Sequence, residues 1–211
     1  ERSGVAEGKG ELAAIAREFP FSYYGWRAQM RLGESFPGAG LNREPLKESP
    51  GRLAPDALRR ARILIEGGMS EEARAEIARH VTGARSLSDR LQLAQLATDA
   101  GDYNQAQRLV VDAYSGQLAR GPIRRFEDLW WYAWPSAFSP EVGYATRSEG
   151  SVEPALVYSV MREESGYRPD VISPVGARGL LQIMTATGEM LAQKQGLDVF
   201  DADDLFVPRT N

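Results

Sequence analysis

The sequence predicts an all-α chain on three observations. Apolar residues recur at helical spacing through most of the first 130 positions, alternating strand-like runs are few, and two stretches repeat at an offset of 33 residues. The spacing shows in Leu58, Ala61 and Ile65 and again in Leu91 and Ala94. The repeat aligns Leu58 with Leu91, Ala61 with Ala94, Gly68 with Gly101, Ala73 with Ala106 and Ile77 with Val110. This is the length of a paired-helix unit. Alanines at 73 and 106 let two helices approach closely, and glycines at 68 and 101 permit a left-handed turn between them. Two units fall short of the roughly three that usually make a stable solenoid, so an ordinary antiparallel bundle is the alternative reading.

Along the chain, Phe19-Pro20-Phe21-Ser22-Tyr23-Tyr24 opens a helix whose Tyr23, Trp26 and Met30 share a face, read as core packing. Phe36 to Pro55 is rich in Gly and Pro and reads as an irregular connector. Trp130-Trp131-Tyr132-Ala133-Trp134-Pro135 could stack on sugar rings, but in a helical chain such a cluster more often seals a junction, and a junction is expected here.

The chain has 211 residues, 43% of them hydrophobic, enough for a substantial core. Its net charge of −4, from 25 basic and 29 acidic residues without long single-sign runs, disfavours nucleic acid as a partner. The absence of cysteine excludes disulfides and thiolate chemistry. No apolar run reaches the roughly 20 residues of a membrane span. The N-terminus has neither an initiator Met nor a signal-peptide pattern, so the chain is expected to be processed or excised. His80, the single histidine, occupies a repeat position equivalent to Ala113 and reads as a packed or surface residue. No metal or cofactor is expected.

The chemistry concentrates after Pro154, which suits the first turn of a helix running to Ser165. Val157, Val160 and Met161 lie seven, four and three residues before Glu164, so helical geometry predicts that Glu164 points inward along their stripe while Glu163 is rotated about 100° away. A carboxyl on an apolar face holds its proton more tightly, as a general acid must. The competing reading pairs Glu164 with Arg162, Arg168 or Arg178. Downstream, Gly176 and Gly179 argue for a turn-rich segment in which backbone and Gln182 amides could meet a ligand. A helix resumes near Thr185 to Gln193, with Thr185 as its cap.

Glu164-Ser165, Tyr167, Pro169, Ser173-Pro174-Val175-Gly176-Ala177 and Gly179-Leu180-Leu181-Gln182-Ile183-Met184 resemble, in order and spacing, motifs of the soluble lytic transglycosylases that cleave bacterial peptidoglycan. Phe21 to Gly25 and Trp130 to Pro135 resemble the superhelical part that precedes the catalytic domain in large members. The resemblance thus implies a helical scaffold over 1–140 and the N-terminal part of a lysozyme-like domain over 141–211. It makes Glu164 the catalytic acid/base, with Ser173, Gln182, Met184 and Thr187 contacting glycan and Ser165, Tyr167, Gly176 and Gly179 in support. Thr185 stands where the family usually has proline.

Family chemistry needs one carboxylate. Glu164 would protonate the glycosidic oxygen beside an N-acetylmuramic acid, the 2-acetamido group would stabilise the developing charge, and the C6 hydroxyl would close a 1,6-anhydro ring. Asp170, Asp198, Asp201, Asp203 and Asp204 read as solvated loop charges rather than a second catalytic carboxylate. The resemblance also implies peptidoglycan strands as partner, a periplasmic location, an option of outer-membrane association in the parent protein, and further helices that complete the groove, supplied by a C-terminal remainder or a second chain. The alternatives are a non-catalytic module that binds peptidoglycan or protein, and a hydrolytic muramidase.

Overall fold

The computed structural model describes residues 2–34, 53–119, 127–149, 152–197 and 199–211. Among these, ten α-helices follow one another with two short 3-10 turns and only isolated β-bridges, as the periodicity requires. Helix α1 spans Arg2–Glu18 and α2 spans Tyr23–Leu32, packed against each other. Ser22 caps α2 by accepting from Gly25 N at 3.0 Å. A Cβ on Gly25 would lie 1.8 Å from Phe19 O, so only glycine lets this helix start close on its own turn. The buried face is Gly25, Ala28 and Gln29. The expectation for the large residues is therefore corrected: Tyr23 (65% exposed), Met30 (59%) and Trp26 (38%) face outward, and the buried face goes to Gly25, pressed on the Phe19–Pro20 turn, with Ala28 and Gln29. The Gly- and Pro-rich connector falls outside the described residues except for Leu53 to Pro55, where Pro55 opens the next helix.

The repeat is two helical hairpins: α3 (Pro55–Glu66) with α4 (Ser70–His80), and α5 (Leu87–Asp99) with α6 (Tyr103–Leu118). Gly68 (φ 73°) and Gly101 (φ 71°) both take the left-handed turn. In each, two backbone bonds close the helix: Met69 N to Leu64 O and Gly68 N to Ile65 O, then Asp102 N to Ala97 O and Gly101 N to Thr98 O. All the aligned apolar positions, Leu58, Ala61, Ala73, Ile77, Leu91, Ala94, Ala106 and Val110, are buried in one cluster. Arg74 links the hairpins, donating from Nε to Ala100 O (3.1 Å) and from Nη2 to Gly101 O (3.3 Å). His80 is half-buried beside Glu76 at 3.4 Å. That hydrogen bond first, with Arg60 and Arg79 behind it, holds the Glu76 carboxyl below its usual range against the opposing effect of burial.

Helix α7 (Glu127–Ala133) closes this core with Leu129, Tyr132 and Ala133. Gln107 Nε2 donates to Ala133 O at 3.2 Å and Tyr132 OH to Gln95 Oε1 at 2.8 Å. The aromatic cluster does bridge elements. Phe21 meets Trp130 edge-on at 4.7 Å, and Trp130 lies 4.4 Å from Trp134. A second apolar cluster begins at Ala137. No helix among the described residues is long and apolar enough to cross a membrane.

Asp89, fully buried, holds the first core together at a polar point. Its carboxylate accepts from Ser86 N (3.3 Å), Ser86 Oγ (2.7 Å) and Leu53 N (3.1 Å), joining the start of α5 to the segment before α3. Asp89→Ala leaves these donors unmet and is expected to lower the unfolding free energy by about 2 kcal/mol, against less than about 0.5 kcal/mol for the exposed Asp99→Ala, measured by urea denaturation.

Candidate active site

Helix α8 (Ser139–Glu149) packs on α9 (Pro154–Ser165), and Pro154 occupies the first turn of α9 as expected. Met161 and Ser165 are buried and Val157 and Tyr158 half-buried, while Leu156 (58% exposed), Val160 (38%), Glu163 and Glu164 face solvent. The inward orientation expected of Glu164 is thus overturned. The inward position is taken by Ser165, whose hydroxyl donates to Met161 O at 3.0 Å and so can be buried without an unmet polar group. A carboxylate there would have needed a partner.

The arginine-pairing alternative also fails. Arg162 lies 3.6 Å from Glu163 and over the Trp134 ring at 5.5 Å, Arg168 Nε donates to Ser165 O at 3.0 Å, and Arg178 donates to Asp203 at 2.6 Å. Glu164 makes no hydrogen bond or ion pair among the described residues.

Helix α9 stops at Gly166, whose φ of 57° turns the chain back while its N–H donates to Arg162 O at 3.1 Å. Tyr167 follows, also left-handed (φ 66°) and buried; burial pushes its phenol up to about 12, over a smaller lowering effect of Arg162. The segment beyond ties itself together through main-chain bonds: Ser173 N to Ala177 O (2.9 Å), Gly179 N to Val171 O (3.0 Å), and a reciprocal pair between Arg178 and Ile183 at 3.0 Å. Ser173 Oγ accepts from Ala177 N at 3.0 Å. Gly176 (φ 88°) and Gly179 (φ 76°) take left-handed turns within the turn-rich segment expected there. Gln182, itself at φ 51°, spends its amide N–H groups on Val171 O (3.2 Å) and Gly179 O (2.9 Å), so its side chain braces the loop from within.

Met184 and Thr187 are exposed at the start of α10 (Thr185–Lys194). Met184, not Thr185, occupies the cap position, and no side chain caps the helix. Asp203 pairs with Arg178, and Asp201 and Asp204 cap the 3-10 helix Ala202–Phe206; Asp170 is exposed and Asp198 lies outside the described residues. Among the described residues no group of three or more His, Cys, Asp or Glu could hold a metal.

Two asparagines escaped the sequence reading. Asn211 accepts from Leu181 N at 2.7 Å and donates to Arg178 O (3.0 Å) and Leu205 O (2.7 Å), clamping the loop to the 3-10 helix. Asn104, at the start of α6, donates to Gly166 O at 2.9 Å. Its partner is 62 residues away, a separation that no periodicity signals.

Residues 144–211 match the family described as transglycosylase SLT domain. That part of the chain is similar to an SLT domain. Over its whole length the chain is 28% identical to the soluble lytic murein transglycosylase of Salmonella typhimurium and 27% identical to that of Escherichia coli, in each case spanning 30% of the relative. The fold is similar to the 70-kDa soluble lytic transglycosylase in complex with bulgecin A (TM-score 0.70, 25% identity, all of this chain and 32% of that one). It is similar also to an inactive mutant of lytic transglycosylase Slt from Pseudomonas aeruginosa (TM-score 0.62, 23% identity, 97% of this chain and 31% of that one), a likeness of fold. The matched region contains α9, its left-handed cap, the braced loop and Asn211.

Two outcomes follow for the matched region. A Cβ at Gly179 would lie 1.9 Å from Leu205 O and 2.3 Å from Asn211 Nδ2, whereas Gly176 meets nothing within 4 Å. Gly179→Ala is expected to cost on the order of 3 kcal/mol or more in urea denaturation and Gly176→Ala about 1 kcal/mol from its backbone angle alone. Because the Tyr167 phenol is raised in the folded state, the unfolded chain ionises first; its stabilising effect is complete below about pH 10 and is lost as pH rises toward 12. Tyr167→Phe is expected to flatten the fall in stability over that window.

Proposed function

We propose that the chain contributes the acid/base of a peptidoglycan lytic transglycosylase, with Glu164 in that role. The carrying observation is that Glu164 is unpaired among the described residues and solvent-facing in the last turn of α9 while Arg162, Arg168 and Arg178 are all engaged elsewhere. Its position within the matched region, and the names of the relatives, support the reading. Val160 and Leu156 continue the same exposed line one and two turns back, an apolar edge against which a glycan ring would lie. A ring seated there displaces water from the carboxyl, and a water-excluded carboxyl keeps a proton to give.

In this reading Glu164 protonates the oxygen between N-acetylmuramic acid and N-acetylglucosamine, and the C1–O bond breaks with support from the 2-acetamido group. The C6 hydroxyl then attacks C1 as Glu164 takes its proton, leaving a 1,6-anhydro end and a neutral acid. The tethered hydroxyl outcompetes water because its effective molarity reaches about 10⁵ M or more. Ser165 and Tyr167 fix the helix end from its buried side. Ser173, Gln182, Met184 and Thr187 belong to the glycan-facing loop, with Gly176 and Gly179 shaping it and Gln182 acting through that brace. Residues 1–140 form the scaffold and 141–211 the lysozyme-like part, working on cell-wall strands in the periplasm.

Assayed on purified sacculi in the full-length protein, Glu164→Gln is expected to cut release of 1,6-anhydro products by at least about 10³-fold, and Glu163→Gln, an exposed ion-pair partner, by less than about twofold. Reducing ends in place of anhydro ends would make the protein a hydrolase. Binding without Glu164-dependent turnover would make it a non-catalytic module.

A further inference from the structure

We propose that Asn104 is a positioning residue for the acid-bearing helix, so that the helical scaffold takes a direct part in the reaction; this rests on Glu164 being the acid. Asn104 Nδ2 donates to Gly166 O at 2.9 Å, two residues past Glu164. The contact is seated on a glycine face: a Cβ at Gly166 would itself lie 2.9 Å from Asn104 Nδ2. The left-handed cap thus does two things at once. It ends α9, and it leaves room for a side chain from the scaffold to reach the carbonyl.

Asn104 is itself held firmly. Asp102 Oδ1 accepts from Gln105 N at 2.9 Å to cap α6, Asp102 N is bound to Ala97 O at 2.7 Å, and Arg74 grips the carbonyls of Ala100 and Gly101 from the neighbouring hairpin. Beside it, Tyr103 meets Phe138 edge-on at 5.2 Å, and both pack on the cluster that contains Met161 and Tyr167. A second grip lies one turn back, where Arg162 rests over Trp134, itself tilted against Trp130 at 4.4 Å. The end of α9 is therefore held by the scaffold at the carbonyl of its cap residue, Gly166. Since the acid must sit within a fraction of an ångström of the glycosidic oxygen to transfer a proton, rotation or fraying of this last turn acts on turnover more than on binding.

The test uses the full-length protein and soluble, uncrosslinked glycan strands. Asn104→Ala is expected to lower kcat about 3- to 10-fold with KM within twofold, and to speed amide hydrogen exchange locally over residues 162–167. Asn104→Asp replaces the donor with an acceptor facing Gly166 O, yet puts a negative charge in the first turn of α6, where it favours the helix. It is expected to lose at least as much kcat with no fall in Tm, and to recover relative to the parent as pH drops below about 4 and the new carboxyl can donate again. A purely structural role gives another pattern: Asn104→Ala loses activity only in step with Tm, and Asn104→Asp keeps parent kcat. That pattern, or parent-like kcat in both variants, overturns the proposal. If Glu164→Gln keeps parent activity the assigned acid is wrong, but the exchange measurement is independent of turnover: acceleration confined to 162–167 supports the clamp, and unchanged exchange overturns it.

Discussion

The site depends on one backbone constraint, the left-handed residue at Gly166. An L side chain there would be strained at a φ of 57° and would press on Asn104. With glycine, α9 stops one residue after Glu164, the chain reverses into Tyr167, and the Gly166 carbonyl is met by a donor from α6. Everything nearby follows from that stop. Ser165 is the residue turned inward, Glu164 is left at the helix end with its carboxylate unpaired among the described residues, and the loop from Val171 to Ile183 starts from a fixed point.

The loop is held largely by its own polar groups. Main-chain bonds at Ser173, Gly179 and Arg178 form short bridges, the Gln182 amide fills the interior, and Asn211 closes the outside against the 3-10 helix. This explains why glycine is needed at 179, where two elements meet with no room for a Cβ. It also explains why residues at 173 and 182 read as ligand contacts from sequence but have much of their hydrogen-bonding capacity committed within the loop. A glycan would meet surfaces that these bonds shape.

Legibility in the sequence followed the physics of each signal. The hairpins were readable because close helix packing demands alanine and the turn demands left-handed glycine at fixed offsets, and both demands are met at 68, 73, 101 and 106. The loop was readable because Gly176 and Gly179 mark turns. Helix faces were not. On α9 two apolar lines compete, one through Leu156 and Val160 that leads to Glu164 and one through Val157 and Met161 that leads to Ser165, and the spacing cannot say which meets the neighbouring helix; burial chose Val157 and Met161 with Ser165. On α2 the large aromatics suggested a core that close approach gave instead to Gly25 and Ala28. Asn104 and Asn211 act through single long-range hydrogen bonds, which leave no periodic trace.

The most direct test of the account is a crystal structure of the Glu164→Gln protein with a bound glycan strand. The expected result is a sugar ring against Leu156 and Val160, a glycosidic oxygen within hydrogen-bonding distance of the residue 164 side chain, and Asn104 still bonded to Gly166. A glycan seated elsewhere, or a residue 164 side chain turned away from it, would contradict the account.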